Sequence, residues 1–128
     1  MADSRVVERS SPEQGTHHAQ IMKGALDMCL LATINEQPNY GYGMIRLLNE
    51  QGLAISNEST IYPVLKRLST RGLIESYLEP SSEGPARKYY RPTPDGTATL
   101  NEWVSDWNFV RNGVDAVLGT TNNTTHKS

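Results

Sequence analysis

The chain has 128 residues, with twelve Lys and Arg against fourteen Asp and Glu for a formal charge of −2. Polar stretches at both ends leave room for one small domain of about 100 residues, and the near-neutral balance excludes a polycationic coat, so any nucleic-acid site must be a local patch. A single cysteine, Cys29, excludes an internal disulfide and disfavours a structural zinc site, and no apolar run approaches the ~18 residues of a membrane span; a soluble cytoplasmic protein without metal, cofactor or membrane contact is expected.

Residues 1–19 are polar apart from Val6 and Val7 and read as a flexible arm. His17 and His18 stand there without a cysteine or carboxylate at ligand spacing. From Gln20 to about Glu36 the residues are good helix formers and apolar on two sides. Ile21, Ala25, Met28 and Ala32 form one side, and Leu26, Leu30 and Leu31 another. A helix apolar on two faces needs two partners, and in so short a chain the second can be a symmetry mate. Gln37-Pro38-Asn39 breaks the pattern.

A second helix fits Tyr42 to Gln51, with Met44, Ile45 and Leu48 at helical spacing and Gly52 at its C-terminal cap. After Leu53-Ala54-Ile55, Ser56 or Asn57 can cap a third helix in which Ile61, Val64, Leu65 and Leu68 make the apolar face and Gly72 the stop. Pro63 lies past the expected first turn, where it would delete a hydrogen bond, so a distortion is expected near Ser59. Two short strands, residues 73–79 and 86–91, flank the turn-rich Pro80-Ser81-Ser82-Glu83-Gly84-Pro85 and predict a β-hairpin. Thr93-Pro94 supplies an N-cap and a first-turn proline for a final helix to about Leu118. Along it Leu100, Trp103, Trp107, Val110, Val114 and Val117 alternate spacings of three and four, the period of a helix seam, so Leu100, Trp103, Val110, Val114 and Val117 are expected at a homodimer interface. Residues 119–128 hold no apolar side chain and are expected to be disordered.

The resulting class is mainly α with a small β-hairpin (α+β). Its organisation is an arm (1–19), a winged helix-turn-helix DNA-binding domain (20–92), a C-terminal dimerisation helix (93–118) and a tail (119–128). Residues 57–91 carry six basic and four acidic side chains, net +2, which leaves −4 for the remainder. Opposite the apolar face of the third helix stand Ser59, Thr60, Tyr62, Lys66 and Arg67, and Arg87 and Lys88 follow the hairpin tip. Hydroxyls, a phenol ring and cations of this kind can meet phosphates and base edges in a major groove, and a basic tip can reach a minor groove or backbone. The expected partner is a double-stranded DNA operator. The chain offers little for catalysis, having no Gly-rich phosphate loop and histidines only toward its ends. The competing reading is a winged-helix protein-interaction module without specific DNA binding.

Tyr40-Gly41-Tyr42-Gly43, Ser59-Thr60-Ile61-Tyr62-Pro63-Val64-Leu65-Lys66-Arg67-Leu68, Arg71-Gly72-Leu73-Ile74-Glu75 and Arg87-Lys88-Tyr89-Tyr90-Arg91-Pro92-Thr93 together resemble the signature of PadR-type transcriptional regulators, over roughly residues 20–118. The resemblance implies a dimeric repressor whose short form ends in one dimerising helix and which is relieved by a small molecule or stress signal. It also accounts for Pro63, since the family carries a Tyr-Pro pair in the recognition helix. The chain is most similar to the short multidrug-responsive branch, in which a tryptophan of the last helix and its symmetry mate sandwich a flat aromatic compound. Trp107 falls at that position, with Trp103 near it as a second candidate effector contact. Arg111 departs from the branch, which has an acidic residue there; facing a pore, Arg111 would disfavour cations and suit neutral or anionic aromatics.

Overall fold

The structure, a computed structural model, describes residues 16–126. Four helices and a three-stranded antiparallel sheet form it: α1 (Thr16–Glu36), β1 (Asn39–Tyr40), α2 (Gly41–Glu50), a 3-10 turn (Glu58–Thr60), α3 (Tyr62–Thr70), β2 (Ile74–Ser81), β3 (Gly84–Pro92) and α4 (Pro94–His126). This is the α+β winged-helix class expected from the sequence. Most of the expected arm, residues 1–15, lies outside the described residues, but Thr16 to Ala19 already belong to α1. Of the tail expected to be disordered, Gly119 to His126 continue α4 and residues 127–128 lie outside the description. Extending an existing helix adds one hydrogen bond per residue fixed, so α4 can outrun its apolar pattern.

One core collects Leu26, Leu30, Leu31 and Ile34 from α1, Met44, Ile45 and Leu48 from α2, and Val64, Leu65 and Leu68 from α3, with Ile55, Ile61, Leu73, Ile74, Tyr90 and Leu100 closing it. Burying a Leu or Ile side chain is worth about 1.5–3 kcal/mol, so this cluster is the main source of stability. It uses the Leu26/Leu30 side of α1 and leaves the other side half bare: Ile21 is exposed, and Met28 and Ala32 are only partly covered.

Helices α2 and α3 end alike. Gly52 and Gly72 take positive φ, their N–H groups donate to the carbonyls of Asn49 and Ser69, and the following N–H groups of Leu53 and Leu73 reach back to Leu48 and Leu68. Each stop combines a left-handed residue with two backbone bonds and an apolar pair flanking them. Between the helices, the Asn49 side chain bonds both the N–H and the carbonyl of Ile55, which closes the link around Ala54, itself at φ 59°.

Pro63 proves to be harmless. The expected third helix is split into the 3-10 turn, capped by Asn57 accepting from the Ser59 N–H, and α3, which begins at Tyr62. Pro63 thereby falls in the first turn of α3, where no acceptor awaits its missing N–H, and the Leu65 N–H takes up the Ile61 carbonyl at 2.9 Å.

The sheet order is β1-β3-β2, so the hairpin has a third strand that the sequence does not announce, Asn39 and Tyr40 pairing with Tyr90 and Tyr89. Strands β2 and β3 also run further than expected, with Ser81 opposite Gly84 and an irregularity between Glu79 and Ser81. Pro80 and Pro85, which lack an N–H, fall within that irregular step, a position where a ladder tolerates them. The start of α4 is tied down by Thr93. Its hydroxyl oxygen accepts from the Gly96 N–H at 3.0 Å and donates to the Gly72 carbonyl at 2.6 Å.

Candidate nucleic-acid interface

Ser59, Thr60, Tyr62 and Lys66 are all exposed on the 3-10 turn and α3, and Arg87 and Lys88 are exposed on β3. The fold brings three of these together. A surface groove of about 340 Å³ is lined by Tyr40, Gly41 and Tyr42 at the start of α2, by Glu58 and Tyr62, and by Arg87, Lys88 and Tyr90 of the wing. Tyr62 lies against Gly41, where an added Cβ would stand 2.9 Å from the phenol oxygen. That hydroxyl donates to Glu58 at 3.1 Å. Partial burial and then the Glu58 carboxylate push the Tyr62 pKa up, so it remains a neutral phenol able to donate a hydrogen bond. Thr60 faces a different depression, shared with α1, and Ser59 donates its hydroxyl to Asn57.

The sheet carries a row of tilted rings and guanidinium groups that spacing alone does not reveal. The Arg87 guanidinium lies 4.7 Å from the Tyr40 ring centroid, Tyr40 is 5.3 Å from Tyr89, Tyr89 is 5.9 Å from Tyr77, and Arg91 lies 4.7 Å over Tyr77. Arg91 also pairs with Glu75 at 2.9 Å. Cation–π contacts restrain these guanidinium groups without removing their charge, so Arg87 is held at the wing surface with donors free for an anion. Lys88 stands 5.9 Å over Tyr90, whose ring is in the core.

Arg67 behaves differently from the other candidates. Its Nη2 and Nε donate to the two carboxylate oxygens of Asp27 on α1, at 2.7 and 3.1 Å. The Asp27 bond and charge raise the Arg67 pKa. Arg67, expected from the sequence at the DNA surface, pairs in this structure with α1, forty residues away in the chain.

The seam is likewise redistributed. Leu100, expected at the seam, is buried in the chain's own core, and Trp103 packs against that core with Arg71 over its ring at 5.4 Å. Further along, Trp107, Val110, Val114 and Val117 are exposed, at 40%, 52%, 48% and 64%. Where α4 leaves α1, a groove of about 420 Å³ is lined by Trp103, Trp107 and Val110 on one side and Ile21, Ala25 and Met28 on the other, with Lys23, Asp27 and Asp106 as its charged groups. Trp103 and Trp107 therefore meet at one site, whereas Arg111 is exposed and not part of that lining. Asp27 and Asp106 were not singled out from sequence, because only the packing of α1 on α4 brings them to the indoles.

Among the described residues no cluster of three His, Cys, Asp or Glu is placed to hold a metal ion, and no helix is long and apolar enough to cross a membrane. Cys29 is half-buried, and burial raises its pKa.

Comparison with known proteins agrees with this geometry. The profile of the transcriptional regulator PadR-like family matches residues 30–102. A PadR-like transcriptional regulator from Bacillus cereus is 39% identical, with a TM-score of 0.70 over 77% of this chain and 96% of its own. A PadR family regulator from Eggerthella lenta is 32% identical, with a TM-score of 0.70 over 80% of this chain and 88% of its own. The transcriptional regulator Rv3488 of Mycobacterium tuberculosis is 31% identical over 83 residues, 65% of this chain and 76% of that protein. With the profile covering both the recognition helix and the wing, the chain belongs to the PadR-like family of transcriptional regulators and carries its winged-helix DNA-binding fold.

Proposed function

We propose that the protein is a homodimeric repressor that binds a double-stranded operator through α3 and the wing and is relieved by a small aromatic compound held beside Trp107. The observation that carries the DNA half is the convergence of Tyr62, Arg87 and Lys88, from different elements, on one exposed surface with Lys66 exposed on the same helix. Ser59 and Thr60, exposed on the 3-10 turn outside that groove, are further candidate contacts. A helix presented to a major groove with a cationic hairpin beside it suits base-edge and phosphate contacts together.

The dimer half rests on α4. Val110 and Val114 are large, exposed and on one line with Trp107, and the outer side of α1 presents Ile21 and Met28 to the same region. A second copy would cover these surfaces and supply the second recognition helix that paired half-sites require. The ligand half rests on the indoles of Trp103 and Trp107 lining a groove of drug-like size, about 420 Å³.

Capture of genomic fragments by the purified protein, across a salt series, tests the reading. A few fragments retained selectively, with affinity falling steeply as salt rises, supports operator binding. Absence of selective capture at every salt concentration would move the assignment to the winged-helix protein-interaction module.

A further inference from the structure

The ion pair between Asp27 and Arg67 joins the two surfaces described above. On α1, Asp27 lines the groove that holds Trp103 and Trp107. The same carboxylate accepts both bonds from Arg67, which stands on α3 next to Lys66. One pair of side chains thus spans the distance from the indole groove to the recognition helix. Building on the regulator reading, we propose that Asp27 selects the charge of the groove's ligand and also latches α3 in its DNA-competent placement: a planar cation entering the groove competes with Arg67 for this carboxylate and lowers DNA affinity.

The pair is two-pronged, the geometry that gives a guanidinium and a carboxylate their best mutual fit. It is also reachable, with 49% of the Arg67 side chain and 18% of the Asp27 side chain exposed. Pairs this open to solvent are weak enough to be exchanged for another cation.

Groove electrostatics supply the difference between states that coupling demands. With Arg67 on Asp27, the remaining charges, Lys23 and Asp106, cancel formally; with Arg67 released, the lining carries one net negative charge beside two indole faces. A cation therefore favours the unlatched state, and a ligand can shift an equilibrium only through such a differential. Arg111, outside the lining, does not offset it.

The latch also bears on how α3 is held. On its α1 side α3 adjoins a depression of about 380 Å³ lined by Met22, Leu26, Pro63, Val64 and Arg67. Beside the apolar packing of Val64, Leu65 and Leu68, the Asp27 bonds give α3 a directional tie to α1.

The test is fluorescence titration of the full chain with N-methylquinolinium and with uncharged 2-methylquinoline at mildly alkaline pH, for the native protein, Arg67→Gln and Asp27→Asn. The captured DNA fragment is then titrated with and without the cation. Arg67→Gln should bind the cation about fivefold or more tightly than the native protein, and reciprocity requires the cation to loosen the native latch by the same factor. Asp27→Asn should bind it more weakly, and Arg67→Gln should leave 2-methylquinoline binding unchanged. On DNA, Asp27→Asn should start weakened and show no further response to the cation. Reversing the pair (Asp27→Arg with Arg67→Asp) should restore DNA affinity yet abolish cation binding, which separates the latch from simple loss of fold.

Equal cation affinity in the native and Arg67→Gln proteins would overturn the proposal, as would a full cation response on DNA by Asp27→Asn. Loss of the regulator reading looks different. Were no fragment bound selectively, that reading would fall while the fluorescence titration still judged Asp27; quenching by neither quinoline would remove the groove and the latch together.

Discussion

The winged-helix body and the outer half of α4 are built from similar apolar residues and end in opposite conditions. In the body, Leu30, Leu31, Ile61, Leu65 and Leu68 are fully buried within one chain. On α4, the same kind of pattern continues past Trp103, but Trp107, Val110 and Val114 stay exposed and Phe109 is 82% exposed. Periodicity therefore says that a face wants covering without saying who covers it. The body's partners are its own elements, and the proposed partner of α4 is a second copy. A long helix with an apolar line and no stop signal reads the same in either case.

This contrast can be broken by altering the apolar face of each region. Val110→Asp with Val114→Asp should leave the body folded and raise the dimer dissociation constant by about two orders of magnitude or more, because each buried carboxylate costs several kcal/mol. Sedimentation at several concentrations reads it, together with loss of operator affinity; a variant that remained dimeric would remove α4 from the interface. In the body, Leu65→Ala should lower the free energy of unfolding by about 2–5 kcal/mol at a fixed protein concentration, measured in denaturant.

Smaller effects sharpen the DNA surface. Tyr62→Ala should cost about 1–3 kcal/mol of operator binding with the dimer intact, and Lys66→Ala should reduce the salt slope by about one while weakening all sequences alike. Fragment titrations at graded salt separate the two, and unchanged affinity in both would displace α3 as the reading element. Smallest of all, Thr93→Ala should cost about 1 kcal/mol by removing the α4 cap, seen as a lower denaturant midpoint.

Local signals were legible where one residue type has one physical use. Gly52 and Gly72 marked both helix stops, Thr93-Pro94 marked the start of α4, and the spacing of Ile61, Val64, Leu65 and Leu68 marked the buried side of α3. Tyr62, Arg87 and Lys88 were readable as a surface because helix phase and hairpin tip put them outside the core. What escaped depends on residues distant in the chain. β1 is two residues long and carries no alternation, so only its pairing with Tyr89 and Tyr90 defines it. Arg67 looked like its neighbour Lys66 until Asp27 claimed it. Leu100 matched the seam in period, yet the tie of Thr93 to Gly72 turns that first stretch of α4 into the core. The division of α3 from the 3-10 turn was foreseen as a distortion near Ser59 but not as a relocated helix start, since the cap at Asn57 allows either.

The bond from Thr93 to Gly72 has a geometric consequence at the scale of the operator. One hydroxyl fastens the exit of α3 to the root of α4, a rod about 50 Å long. In the proposed dimer two such rods lie together, so the angle at each root sets how far apart the recognition helices stand. A tilt of a few degrees at this joint moves the far end of the rod by several ångströms, enough to take two helices out of step with grooves one helical turn apart, about 34 Å. In the proposed dimer the joint at Thr93 would be the protractor, and the spacing of DNA sites it could straddle would depend on that setting as much as on the side chains that touch bases.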